Sequence, residues 1–96
     1  MKTKHYLVIY DISNNRRLQK VAKKMEDYGY RVQKSVFEIE VTEFIIKKMR
    51  YEVASIMDME KDSIVIFDIC EEDWQKREKY GPKKFDEERD SSFYIL

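Results

Sequence analysis

The chain opens with an unbroken apolar run, Tyr6-Leu7-Val8-Ile9-Tyr10, that ends abruptly on Asp11. Successive strand side chains point to opposite faces, so a run apolar at odd and even positions alike predicts a strand covered on both sides. Asp11 at its mouth is either a turn-former for Ile12-Ser13-Asn14-Asn15 or a carboxylate placed at the sheet edge, and position alone does not choose. Leu18, Val21, Ala22, Met25 and Tyr28 then recur at helical spacing among charged residues. That predicts an amphipathic helix over about residues 15 to 28, started by Asn14 or Asn15 and closed by a left-handed Gly29.

The stretch from Tyr30 to Val41 is rich in β-branched and aromatic residues, with Val32 and Val36 on one parity and Phe37 and Ile39 on the other. It reads as strand, and the change of phase near Lys34-Ser35 marks a bulge. Thr42 is placed to cap a second helix whose apolar stripe is Ile45, Ile46, Met49, Val53, Ile56 and Met57. Asp58 to Asp62 reads as a loop and Ser63 to Ile69 as a further buried strand. The acidic cluster Glu71-Glu72-Asp73 favours a short helix anchored by Trp74. Gly81-Pro82 breaks what precedes it, and the terminal tetrad Phe93-Tyr94-Ile95-Leu96 reads as a last strand.

This order predicts an α+β, ferredoxin-like sandwich of the βαββαβ type, an antiparallel sheet with two helices on one face. The expected single domain spans residues 1–96, with a core at 4–80 and a tail at 81–96. The other face of the sheet is left uncovered by this arrangement. Soluble monomers rarely tolerate such an apolar patch, so a homodimer through that face is expected, with the terminal strand 93–96 added to the partner's sheet or docked on its own.

Formal charge changes the picture more than composition does. Nineteen basic and nineteen acidic residues cancel overall, yet residues 1–34 carry +6 and residues 35–96 carry −6. Such asymmetry builds a local positive surface that attracts phosphates, because screening cuts exposed charges off beyond about 10 Å. The one cysteine, Cys70, forbids an internal disulfide and reads as a small core residue in a reducing compartment. No apolar stretch approaches the roughly 20 residues that cross a bilayer. A cytoplasmic location without membrane association is the expectation.

The residues Tyr6-Leu7-Val8-Ile9-Tyr10-Asp11-Ile12-Ser13, with Arg17, Lys20, Val21, Gly29 and the run Arg31-Val32-Gln33-Lys34-Ser35-Val36-Phe37-Glu38, resemble the Cas2 family of CRISPR-associated proteins. The likeness covers the first half by pattern and spacing together, and the second half mainly by length and strand order. It implies a small homodimer that partners the Cas1 integrase during spacer acquisition on double-stranded DNA, with metal-dependent nuclease activity on DNA or RNA also assigned to the family. It further implies that Asp11 is the catalytic and metal-binding carboxylate, one from each protomer. Arg17, Arg31, Ser35 and Phe37 fall on positions the family uses around that site, while Lys20 stands at a basic position in the first helix.

The residues themselves limit the chemistry. Magnesium or manganese held by hard oxygen ligands would polarise a phosphate, and two Asp11 carboxylates across a dimer suit such an ion better than one. His5 is the sole histidine and lies at the far end of the strand from Asp11; it reads as packing or surface. With two glycines, no phosphate-cradling loop is available. Arg16, Arg17, Lys20, Arg31, Lys34 and Ser35 form the candidate nucleic-acid surface, extended by Lys23 and Lys24. Tyr10 and Phe37 are expected as site support or dimer contacts. The alternative to spacer capture is a metal-dependent endoribonuclease of toxin type on the same fold.

Overall fold

The computed structural model describes residues 2–78, 80 and 81. Its elements are β1 (Thr3–Asp11), α1 (Asn15–Met25), β2 (Gly29–Gln33), β3 (Val36–Thr42), α2 (Glu43–Ala54), β4 (Ser63–Ile69) and the short α3 (Glu71–Gln75). One antiparallel sheet carries the order β2-β3-β1-β4, with β1 central and opposed by β3 and β4. This is the ferredoxin-like arrangement expected from the element order. The terminal tetrad, its place in the sheet and the rest of the tail lie outside the described residues.

Strand parity decides the layers. Tyr6, Val8 and Tyr10 of β1 join Phe37 and Ile39 of β3, Val21, Ala22 and Met25 of α1, and Ile46, Met49 and Val53 of α2 in one core. Both helices therefore cover the same face. Their starts are set locally, since Asn14 Oδ1 accepts from the Arg17 N–H and Thr42 Oγ1 accepts from the Ile45 N–H.

The opposite face carries His5, Leu7 and Ile9 of β1 beside Ile69, Phe67 and Val65 of β4. It is not wholly open. α3 lies over the His5 end, where Trp74 stacks on the His5 ring at 4.5 Å and is itself buried. Ile9, Val65 and Phe67 stay exposed, Val65 and Phe67 at 47% each.

Four expectations change. The stretch 30–41 is a hairpin, not one bulged strand: Lys34 and Ser35 form its two-residue turn, and the register irregularity falls between Arg31 and Gln33. Gly29 is not a left-handed helix closure. It begins β2 where its backbone runs so close to β3 that a Cβ would collide with the Glu38 carbonyl and sit 2.7 Å from an Ile39 side-chain carbon. Among the described glycines only Gly81 has a positive φ, 104°. Among the described residues β4 stands at the sheet edge with one face exposed, and Cys70, following it, is exposed instead of buried in the core.

Candidate nucleic-acid and carboxylate site

Three connections converge at one end of the sheet. Asp11 ends β1 opposite Ser63, the first residue of β4, and the Lys34-Ser35 turn reaches the same end, its Ser35 carbonyl accepting from the Tyr10 N–H at 3.1 Å. The β1–α1 connection leaves from here, so Asp11, Ser13, the first turn of α1, the hairpin and the α2–β4 loop share one rim.

Asp11 is exposed, as a ligand must be. The second carboxylate of the rim is Asp62, which sequence reasoning passed over as a loop residue. Its side chain has no exposed surface. Oδ1 accepts from the Ser13 N–H at 3.0 Å, the Ser13 hydroxyl at 3.2 Å and Arg17 Nη2 at 3.1 Å; Oδ2 accepts from Arg17 Nε at 2.8 Å and the Asp58 N–H at 2.8 Å. The Arg17 guanidinium, followed by the Asp58 and Ser13 amides, holds this carboxyl far below the usual carboxylate range. Asp62 is thus an anion whose acceptor sites are filled from within the chain.

The basic candidates divide by what they touch. Arg17 is three-quarters buried against Asp62. Arg31 donates from Nε and Nη2 to the Lys34 carbonyl at 3.3 and 2.9 Å, lies 6.0 Å from the Phe37 ring centroid and approaches Glu26 at 3.9 Å. It braces the hairpin turn. Tyr10 joins this brace, its hydroxyl donating to the same carbonyl at 3.4 Å. Burial raises its phenol pKa. Tyr10 and Phe37, with ring centroids 6.1 Å apart, lie in the core under the helices. Arg16, Lys20, Lys23 and Lys34 are exposed and form no ion pair among the described residues, Lys24 pairs with Asp27 at 3.8 Å, and Ser35 is half-buried in the turn.

A magnesium or manganese ion needs several hard oxygens and keeps much of its water shell. One chain does not supply a dedicated site: no group of three or more His, Cys, Asp or Glu side chains is arranged for a metal among the described residues, and Asp62 is saturated. Among the described residues no donor set for the ion is assembled around Asp11, so the residues of a single chain do not fit it and no chemical step follows through it. His5 is packed against Trp74 with its Nε2 2.6 Å from Glu71 Oε1, at the far end of β1 from Asp11. It serves no chemistry at this rim. No helix among the described residues is long and apolar enough to cross a membrane.

Comparison with known proteins agrees with this layout. The family model for CRISPR associated protein Cas2 matches residues 4–77. The CRISPR-associated endonuclease Cas2 of Halalkalibacterium halodurans is 38% identical over 82 residues, covering 80% of this chain and 85% of that protein. A CRISPR-associated endoribonuclease Cas2 of Moorella thermoacetica is 34% identical over the same length and coverage. Among solved structures, Streptococcus pyogenes Cas2 at pH 6.5 superposes with a TM-score of 0.70 at 36% identity, covering 78% of this chain and 95% of that one. A chain of a partial Cas6-RT-Cas1–Cas2 complex gives 0.70 at 26% identity, covering 79% and 89%. The chain belongs to the CRISPR-associated Cas2 family.

Proposed function

We propose that this chain is the homodimeric adaptor of a spacer-acquisition complex, holding double-stranded DNA beside the Cas1 integrase. The observation that carries the reading is the grouping of available charge: Arg16, Lys20, Lys23 and Lys34 are exposed at or near the Asp11 rim and along α1 and form no ion pair among the described residues. Such cations release counterions from a phosphate backbone without reading bases. The exposed Ile9, Val65 and Phe67 supply the face for a second copy. The fold match to a chain from a Cas1–Cas2 complex supports Cas1 as partner, and the family match favours a CRISPR role over a toxin-type ribonuclease. The test is an integration assay with the purified integrase, with light scattering to fix the oligomer. Capture that proceeds equally well without this chain defeats the adaptor reading, and a monomer at working concentration defeats the dimer.

A second reading is a magnesium- or manganese-dependent endonuclease, supported by the exposure of Asp11 and by the endonuclease and endoribonuclease names of the relatives. Two protomers would bring two Asp11 carboxylates to one ion, which when bound supplies Lewis-acid polarisation of a phosphodiester. The chain's own part is to present Asp11 on a fixed rim and gather phosphates around it. DNA and RNA substrates are compared directly in the same cleavage assay. Metal-dependent cleavage that persists in Asp11→Asn removes this reading.

A further inference from the structure

The turn after Asp11 is held by ionic hydrogen bonds beside the packing of Ile12 in the core. Ser13, two residues on from Asp11, gives both its N–H and its hydroxyl to Asp62, and Arg17 Nη2 donates to the Ser13 hydroxyl at 3.2 Å. Asp62 directly precedes Ser63, the residue paired with Asp11 across the strands. The carboxylate therefore ties the turn after Asp11 to the loop that leads into the neighbouring strand β4.

We infer that Arg17 is a positioning residue and not a phosphate ligand: with Asp62 it locks the turn behind Asp11 and the first turn of α1. Its Nε and Nη2 engage both Asp62 oxygens at 2.8 and 3.1 Å, a two-pronged match that lysine's point charge cannot reproduce. Swinging Arg17 out to a phosphate would strand a carboxylate with no exposed surface, and an uncompensated buried charge is strongly destabilising. Arg16, Lys20 and Lys23 carry no such penalty, since they are exposed and have no ion pair to break among the described residues. On the duplex-binding reading, on which this inference rests, these side chains meet the phosphates and Arg17 fixes where the helix presents them.

The experiment measures affinity of the full chain for a short blunt DNA duplex by fluorescence anisotropy across salt concentrations, with amide exchange of Ser13 followed in the same variants. Lys20→Gln is the reference for a phosphate contact and should flatten the log affinity against log salt line by about one per chain. Arg17→Gln should displace the line in parallel, with the slope kept, and speed exchange at Ser13 by about tenfold or more. Arg17→Lys should speed that exchange too, because it keeps the charge and loses the fork. Asp62→Asn should match it at Ser13. A slope loss in Arg17→Gln equal to that of Lys20→Gln, restored by Arg17→Lys with Ser13 protection unchanged, overturns the inference. Should Arg17→Gln not fold, Arg17→Lys decides alone: parental protection at Ser13 refutes the clamp and faster exchange supports it. If Lys20→Gln leaves the slope untouched, the duplex reading fails, while the Ser13 result still rules on the clamp.

Discussion

The two ends of β1 solve opposite problems with the same side-chain chemistry. At the Asp11 end a buried carboxylate is satisfied from within, by Arg17, Ser13 and Asp58, and this leaves Asp11 and the α1 cations facing solvent. At the His5 end the polar groups are roofed over. Trp74 stacks on His5, the Arg77 guanidinium lies 4.0 Å from the Trp74 ring centroid, and Arg77 pairs with the buried Glu38 at 3.7 Å. A cleft of about 380 Å³ beside this roof is lined by Glu26, Asp27, Glu38 and Glu40.

The largest effects separate the ends by function and by stability. Asp11→Asn should abolish metal-dependent cleavage, by about 100-fold or more under the endonuclease reading, and shift stability by less than about 0.5 kcal/mol because the residue is exposed. Duplex binding and DNA capture with the integrase should survive it. Trp74→Ala should do the reverse, lowering unfolding free energy by about 3 kcal/mol in urea titrations through loss of the packed indole, with Ser13 exchange at the other end unchanged. The contrast breaks if Trp74→Ala loosens the Asp11 rim, because the two ends would then be one cooperative unit.

How far the sequence revealed these ends depends on the range of the interactions that build them. The Asn14 and Thr42 caps, the bounds of β4 and the Trp74-anchored α3 were legible because each rests on residues within one turn or on a short apolar run. The hairpin at Lys34-Ser35 was not. It carries none of the Gly or Asn that mark tight turns, and its Lys34 carbonyl is instead held by Arg31 and by the Tyr10 hydroxyl, 24 residues away. Asp11 stood out because it interrupts an apolar run. Asp62 was hidden because its partner Arg17 lies 45 residues away, and nothing in the Asp58–Asp62 loop marks one aspartate as buried. Cys70 was misplaced by residue type, since composition favours burial while the exposed edge of β4 decides otherwise.

Acid titration gives a smaller effect that still resolves the ends. A carboxyl held below its ordinary value contributes stability that is present above the unfolded value, near 3.9 for aspartate, and lost as pH falls toward the folded one. Asp62 is held far down by Arg17, whereas Glu71 is lowered by bonds from Gln75 and then His5. Both therefore make the fold acid-labile below about pH 4, and protection at Ser13 should outlast the rest of that decline. Asp62→Asn should flatten the acid limb of a stability profile measured by urea unfolding. An unaltered limb in that variant would show that the clamp contributes nothing to acid stability.

The smallest effect lies on the alkaline side and belongs to neither rim. Tyr28, just before β2, donates its hydroxyl to Glu52 on α2, and this bond, with burial, pushes its pKa up to about 12. A raised folded value means that the contribution is complete below the unfolded value, near 10, and disappears as pH climbs from about 10 to 12. Tyr28→Phe keeps the ring and deletes the donor, so it should cost about 1 kcal/mol at neutral pH. It should also lessen the alkaline fall between those two values, leaving the part that buried Tyr6 and Tyr10 contribute. Because this bond ties α2 to the α1–β2 connection and not to either end of β1, neither Ser13 exchange nor duplex affinity should follow it. A change in either would mean that the helix layer transmits strain to the Asp11 rim, and the two ends would no longer be separable by single substitutions.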